Sequence, residues 1–226
     1  MKIPSKKIKS RDTKLLEYCV WKKVLHIGAC DSPFTQEKFN GERGPFLYRE
    51  IDKVCSDQLG IDLDRESVEF LNSHRSELPK STALCMDMNK FEELDYSPDV
   101  IIFGEVIEHL MNLEVALSNL KKVMKKDTLL IISTPNAYCF EGIIGNIFGR
   151  ESFHEDHKVY FTYGMLTNLL RHNQIQVVDG YFCKIWHEPD NFKRVILSIF
   201  GDFFVYYLFP RFYNNLLFVA KLDDSI

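Results

Sequence analysis

Short apolar runs that stop at a glycine or an acidic residue alternate along this chain with segments of helical spacing. Val24-Leu25-His26-Ile27 stops at Gly28, and a run over residues 58–61 stops at Asp62. Residues 82–85 lead to Asp87, residues 99–103 lead to Gly104-Glu105, and residues 128–133 are broken by Thr134-Pro135-Asn136. Runs this short and continuous read as strands buried on both faces. Between them, residues 65–74 carry Val68 and Leu71, and residues 112–125 carry Leu113, Leu117, Leu120 and Met124 on one helical face. Strands alternating with helices build βαβ units and hence a mostly parallel sheet. Residues 14–21 and 163–171 read as further helices, and residues 175–178 and 215–220 as further strands. The expectation is an α/β fold around a seven-stranded, mostly parallel sheet flanked by helices.

At 226 residues the chain suits one domain. Its core is expected over residues 21–180 and its last strand at 215–220, with an aromatic-rich helical insertion at 186–213. The insertion carries Trp186, Phe192, Phe200, Phe203, Phe204, Tyr206, Tyr207, Phe212 and Tyr213. It has three readings: a lid on the core, a homodimer surface, or a patch that meets a membrane surface. Its most apolar part, residues 195–209, is interrupted by Asp202 and falls short of the ~20 residues that a spanning helix needs. The six cysteines form no Cys-x-x-Cys pair, which fits a reduced, cytoplasmic compartment. The lysine-rich residues 1–11 lack the apolar core of a signal peptide and read as a solvated tail. A net charge of −4 speaks against coating nucleic acid. Lys121-Lys122 and Lys125-Lys126 read as an ordinary solvated helix face.

In open α/β sheets ligands bind beyond the carboxyl ends of the strands. Gly28 there lets a ligand approach the backbone with no Cβ in the way. Asp62 can accept hydrogen bonds from both hydroxyls of a ribose, and Asp87 can accept from an adenine amino group. The ordered succession of Gly28, Asp62, Asp87 and Gly104-Glu105 is more informative than any one of them.

The segments Val24-Leu25-His26-Ile27-Gly28-Ala29-Cys30, Leu59-Gly60-Ile61-Asp62-Leu63-Asp64, Cys85-Met86-Asp87-Met88 and residues 99–110 resemble the class I S-adenosylmethionine (SAM) dependent methyltransferases. The resemblance implies a Rossmann-like fold and SAM as cofactor. It implies that Gly28, Ala29 and Cys30 flank the methionine part, that Asp62 binds the ribose and Leu63 covers the adenine. Asp87 and Met88 then meet the adenine edge, and Gly104 and Glu105 close the site. His26 stands where that family usually has an acidic residue, and Cys30 and Ser32 stand where it has glycines. The rival dinucleotide reading lacks the Gly-x-Gly-x-x-Gly phosphate cradle.

On a helical turn Glu105, Glu108 and His109 would share one face, at i, i+3 and i+4. Two carboxylates and an imidazole form a partial ligand set for a divalent cation, with a fourth ligand available from His154-Glu155-Asp156-His157. The competing reading is a helix-start carboxylate and a packed histidine. The Glu-x-x-Glu-His pattern is similar to that of small-RNA 3′-end methyltransferases and ubiquinone-pathway O-methyltransferases. That resemblance implies a Mg, Mn or Zn site at Glu105, Glu108, His109 and His157. The catalytic residues are then Glu105, His109 and His157, with His109 or His157 as general base if no cation is used. Residues 24–33, 133–137 and 157–162 resemble methyltransferases associated with polysaccharide biosynthesis, which implies a small-molecule, sugar or glycan-precursor acceptor. RNA ribose and catechol or quinone precursors are the alternatives. A non-catalytic SAM-binding regulatory module is the alternative of another class.

Overall fold

The computed structural model describes residues 3, 6–88, 91, 94–151, 154–185 and 208–223. Its strands are β1 (Lys7–Ile8), β2 (Lys23–Ile27), β3 (Asp57–Asp62), β4 (Ser81–Cys85), β5 (Val100–Gly104), β6 (Leu129–Pro135), β7 (Ile175–Cys183) and β8 (Asn215–Leu222). The helices are α1 (Arg11–Cys19), α2 (Thr35–Phe39), α3 (Leu47–Val54), α4 (Arg65–Ser73), α5 (Leu113–Val123), α6 (Phe140–Ile147) and α7 (Tyr163–His172). All strands join one sheet in the order β1-β7-β8-β6-β5-β2-β3-β4. Only β8 runs antiparallel to its neighbours β6 and β7. This is the Rossmann-like sheet that the alternation predicts, with one strand more than the seven expected. The addition is the two-residue β1, which pairs with Phe182 and Cys183 of β7 at the sheet edge.

Alternation of side chains along the central strands assigns the two faces. Leu25, Ile101 and Phe103 join one core cluster, with Leu117 and Leu120 of α5 and Leu166 and Leu170 of α7. Val24, Val100 and Ile102 join another, with Leu15 of α1 and Ile51 of α3. Both faces of β2 and β5 are thus buried, which is why β5 is continuously apolar and β2 is apolar apart from Lys23 at its exposed start and the buried His26.

Chain direction turns outward on either side of β2. From it the chain moves through β3 and β4 one way, and through β5 and β6 the other. The gap between the carboxyl ends of β2 and β5 is therefore the topological switch point, where such sheets bind ligands.

The amino-terminal tail is a correction. Lys7–Ile8 enter the sheet, Ser10 caps α1 by accepting from the Thr13 amide, and α1 begins at Arg11, three residues before the expected start. Because α1 leads back into β2, its first turn lies over the carboxyl end of the sheet. Most of the aromatic insertion (186–207) lies outside the described residues. At its end, Tyr213 is buried and Phe212 packs against the main core. No helix among the described residues is long and apolar enough to cross a membrane.

Candidate active site

Gly28 leaves β2 with a φ of +71°, a left-handed conformation that favours glycine. Its amide donates to the Ile61 carbonyl (2.8 Å), and the Ala29 amide donates to the same oxygen (3.2 Å). A Cβ at Gly28 would lie 2.4 Å from Cγ2 of Val106, so the turns after β2 and β5 touch here. Asp62 braces the loop: Oδ2 accepts from the Cys30 amide (2.8 Å) and Oδ1 from the Asp64 amide (3.0 Å). A carboxylate has about four lone-pair positions, so both oxygens keep capacity for a diol. Leu63, beside it, is 70% exposed and offers an apolar surface on which a base can stack. Met88 is buried in the main core and its carbonyl accepts from Asn119 (2.8 Å). That position can meet a base through backbone rather than side chain. Asp87 follows β4 beside Met88 and is half-buried.

A cavity of about 160 Å³ fills the switch point. Gly28, Ala29, Cys30 and Asp31 form one wall, Gly104, Glu105 and Val106 another, and Arg11, Asp12 and His26 a third. His26 is buried, with Nδ1 unpartnered. Burial first, and then the Arg11 charge, push its pKa down to about 3, so the ring is neutral at pH 7. The residues present fit SAM: Gly28 leaves a wall open to close approach, Asp62 braces the same loop with lone pairs to spare, and His26 Nδ1 is a buried polar atom of the cavity wall without a partner among the described residues. Asp62→Ala is expected to weaken SAM binding by about 100-fold, because two charge-assisted hydrogen bonds and the brace of the loop go together. Titration calorimetry checks this, and micromolar binding that survives would remove Asp62 from the ribose role.

The residues after β5 depart from expectation. Glu105 has a φ of +53°, and only Ile107–His109 form a turn of 3₁₀-helix. The shared helical face of Glu105, Glu108 and His109 therefore does not form. Glu105 turns towards β6 and β8. Its Oε1 accepts from Ser133 Oγ (2.7 Å) and Asn215 Nδ2 (3.0 Å), and lies 3.3 Å from Arg11 Nη1.

Glu108, His109 and His157 do converge, with one ligand atom of each within 4.8 Å of the others. Backbone bonds bring His157 there, since the Lys158 and Val159 amides both donate to the Glu108 carbonyl (2.7 and 3.2 Å). Glu108 is 1% exposed; Oε2 accepts from Thr134 Oγ1 (3.0 Å), and Oε1 has no partner. Burial, and then the Glu105 charge, hold its carboxyl well above the ordinary carboxylate range. His157 Nδ1 is likewise buried and unpartnered. Burial and the neighbouring His109 and His154 push its pKa down to about 4, leaving its lone pair available. His109 Nδ1 lies 3.3 Å from the Asp156 carbonyl, a contact that orients the ring and frees Nε2. Two members of this group of three, Glu108 and His157, each carry a buried polar atom without a partner among the described residues, which fits a divalent cation. His154 borders the group, its ring 5.0 Å from that of His157.

A family model described as a methyltransferase domain matches residues 41–190. No curated protein matches the chain. Among solved structures, the N-methyltransferase NodS from Bradyrhizobium japonicum WM9 is similar at 14% identity and a TM-score of 0.55, covering 95% of each chain. A SAM-dependent methyltransferase from Clostridium acetobutylicum ATCC 824 has a TM-score of 0.61 at 11% identity, covering 94% of this chain and 90% of that one. One from Archaeoglobus fulgidus has a TM-score of 0.58 at 18% identity, covering 93% and 91%. With this match, the chain belongs to the methyltransferase-domain family, and it shares its fold with SAM-dependent methyltransferases.

Proposed function

We propose that the chain methylates a hydroxyl of a sugar or glycan precursor, with a divalent cation held by Glu108, His109 and His157. The observation that carries this reading is that Glu108 and His157 of that group each have a buried polar atom without a partner among the described residues, Oε1 and Nδ1. The group follows β5, on the turn that also walls the cofactor cavity. When bound, the cation supplies Lewis acidity that lowers the pKa of a coordinated hydroxyl. Glu108 contributes the anionic ligand and a fixed position through Thr134. His109 and His157 contribute neutral nitrogens. Vicinal hydroxyls presented there face the cofactor, and alignment of this kind can lower a barrier by several kcal/mol. A sugar is favoured over RNA by the net charge of −4, and by the similarity of residues 24–33, 133–137 and 157–162 to methyltransferases of polysaccharide biosynthesis.

The test is release of S-adenosylhomocysteine with nucleotide sugars, free monosaccharides, a short single-stranded RNA and a catechol as acceptors. Each is assayed as prepared, after EDTA, and after Mn²⁺, Mg²⁺ or Zn²⁺ is restored. Sugar-dependent release that EDTA removes and a cation restores is expected. Release that resists EDTA overturns the cation role, and release with RNA or catechol alone overturns the acceptor.

A further inference from the structure

We propose that the edge of the sheet beyond the carboxyl end of β6 is a docking surface for an anionic lipid bilayer, with α6 lying in the interface. Docking there is independent of which acceptor is methylated. The helix α6 has no buried residue, although Phe140 at its start packs against the main core. Ile144, Ile147 and Phe148 stand at i, i+3 and i+4 and share one face. Ile147 is 69% exposed and Phe148 75%. A second stretch joins the same end of the sheet. Asn136 Nδ2 donates to the carbonyls of Arg211 (2.9 Å) and Tyr213 (2.7 Å), and the Asn136 carbonyl accepts from the amide of Cys139, the residue before α6. Leu208 and Phe209, both exposed, are thereby brought to the end of the sheet that carries α6 and the exposed Tyr138. Single exposed apolar side chains are ordinary, but two such stretches tied together by one buried asparagine mark an interaction surface.

The flanking charge decides the occupant. Residues 1–10 contain four lysines and no acidic residue. Of these, Lys7 pairs with Phe182 near the carboxyl end of β7, between Lys6 and Lys9. Arg211 Nη2 donates to the Ile3 carbonyl (3.0 Å), so this basic stretch meets the turn Pro210–Phe212. Lys184 follows β7, and the Arg150 amide donates to the Gly145 carbonyl (2.8 Å) at the end of α6. Among the described residues, the acids at this edge are Asp179, which Lys6 pairs at 2.6 Å, and Glu141 and Glu151 at the two ends of α6. The excess is positive. Lysine is depleted from protein–protein interfaces, whereas apolar side chains rimmed by lysine and arginine suit anionic headgroups and the acyl boundary beneath them. A two-fold contact with a second copy would set these bases against their own equivalents.

The experiment is co-sedimentation of the full chain with vesicles of phosphatidylglycerol and phosphatidylcholine in equal parts, and of phosphatidylcholine alone. Partition onto the mixed vesicles is expected to be at least ~10-fold stronger, and to fall as salt is raised. Ile147→Ser with Phe148→Ser should lower it by about 10- to 100-fold, because both side chains leave water only on docking. Lys9→Ala with Arg150→Ala should lower it by about 10- to 30-fold, at about fivefold for each base near such a surface, and leave phosphatidylcholine unaffected. All four side chains are exposed, so unfolding temperatures within ~2 °C of wild type are expected alongside. No partition onto the mixed vesicles overturns the surface, as does partition that survives Ile147→Ser with Phe148→Ser. Equal partition onto the two vesicles overturns the anionic lipid. A dimer in light scattering that the same double variant makes monomeric gives the face to a second copy and overturns the proposal as well.

Discussion

Replacing His157 with Ala, or Glu108 with Gln, is expected to lower cation-dependent turnover by at least ~100-fold, since even an outer-shell partner is worth ~10–100-fold in metal affinity. Thermal unfolding separates this from damage to the fold. Glu108 is buried with one oxygen unpartnered, so the cation-free protein already bears the desolvation of an incompletely bonded carboxyl. Glutamine keeps the shape and an acceptor for Thr134 Oγ1 and cannot take the charge that burial disfavours at this position. Glu108→Gln without cation should therefore unfold at or above the wild-type temperature. Wild type with Mn²⁺ at a hundredfold excess over Kd should gain about 2.7 kcal/mol, or roughly 5–10 °C for a chain of this size. Both variants should lose that gain. His154→Ala should keep most of it, because His154 is exposed and stands outside the group of three. Glu105→Gln should also keep it, because Glu105 is bonded to Ser133 and Asn215 and does not reach the group. A Mn²⁺ shift retained in His157→Ala and Glu108→Gln sinks the site. A shift lost in Glu105→Gln would return Glu105 to the ligand set that its spacing first suggested.

The fate of Glu105 shows where a periodic pattern stops being informative. Spacing of i, i+3 and i+4 places residues on one face only if the backbone is helical throughout, and Glu105 is left-handed. No residue type in Glu105-Val106-Ile107 announces that. The reversal follows from bonds to Ser133 and Asn215, which lie 28 and 110 positions away in the chain. By contrast, the strands were legible because β2 and β5 bury both faces, and a short, mostly apolar run ending in glycine has few other readings. Helices were legible to the extent that they bury a stripe. The α5 helix buries Leu117 and Leu120 and was readable, whereas α6 has no buried residue and two glycines. The α2 helix, with five residues, is too short for a period to show. Arg11 was missed for a related reason. It sits in a lysine-rich stretch that looks solvated, and only the return of α1 over the sheet makes it a wall of the cavity. Ser10 three residues before Thr13 was the one local signal, as a helix cap.

Gly28→Ala is expected to be the most damaging single-atom change near the cofactor, and for two separable reasons. An alanine held at a φ of +71° costs about 1–2 kcal/mol. Its Cβ would also stand 2.4 Å from Cγ2 of Val106, and overpacking of that kind costs about 1–3 kcal/mol. Together these predict a loss of roughly 2–5 kcal/mol, or about 4–20 °C in Tm. Neither side can yield easily. The Gly28 amide is bonded to Ile61, and Val106 immediately precedes the turn Ile107–His109 that carries the proposed ligands. Displacing Val106 therefore disturbs the cofactor cavity and the Glu108 group at once. SAM binding should fall by at least ~100-fold, the scale on which misplacement by about 1 Å is felt at such sites. The double variant Gly28→Ala with Val106→Ala divides the loss. Removing Cγ2 relieves the contact, so the packing part of the stability should return while the backbone part remains. A single variant within ~2 °C of wild type would show that the turn accommodates a side chain, and the close approach of β2 and β5 would then not explain why glycine stands there. A double variant no better than the single would leave the backbone conformation as the whole cause.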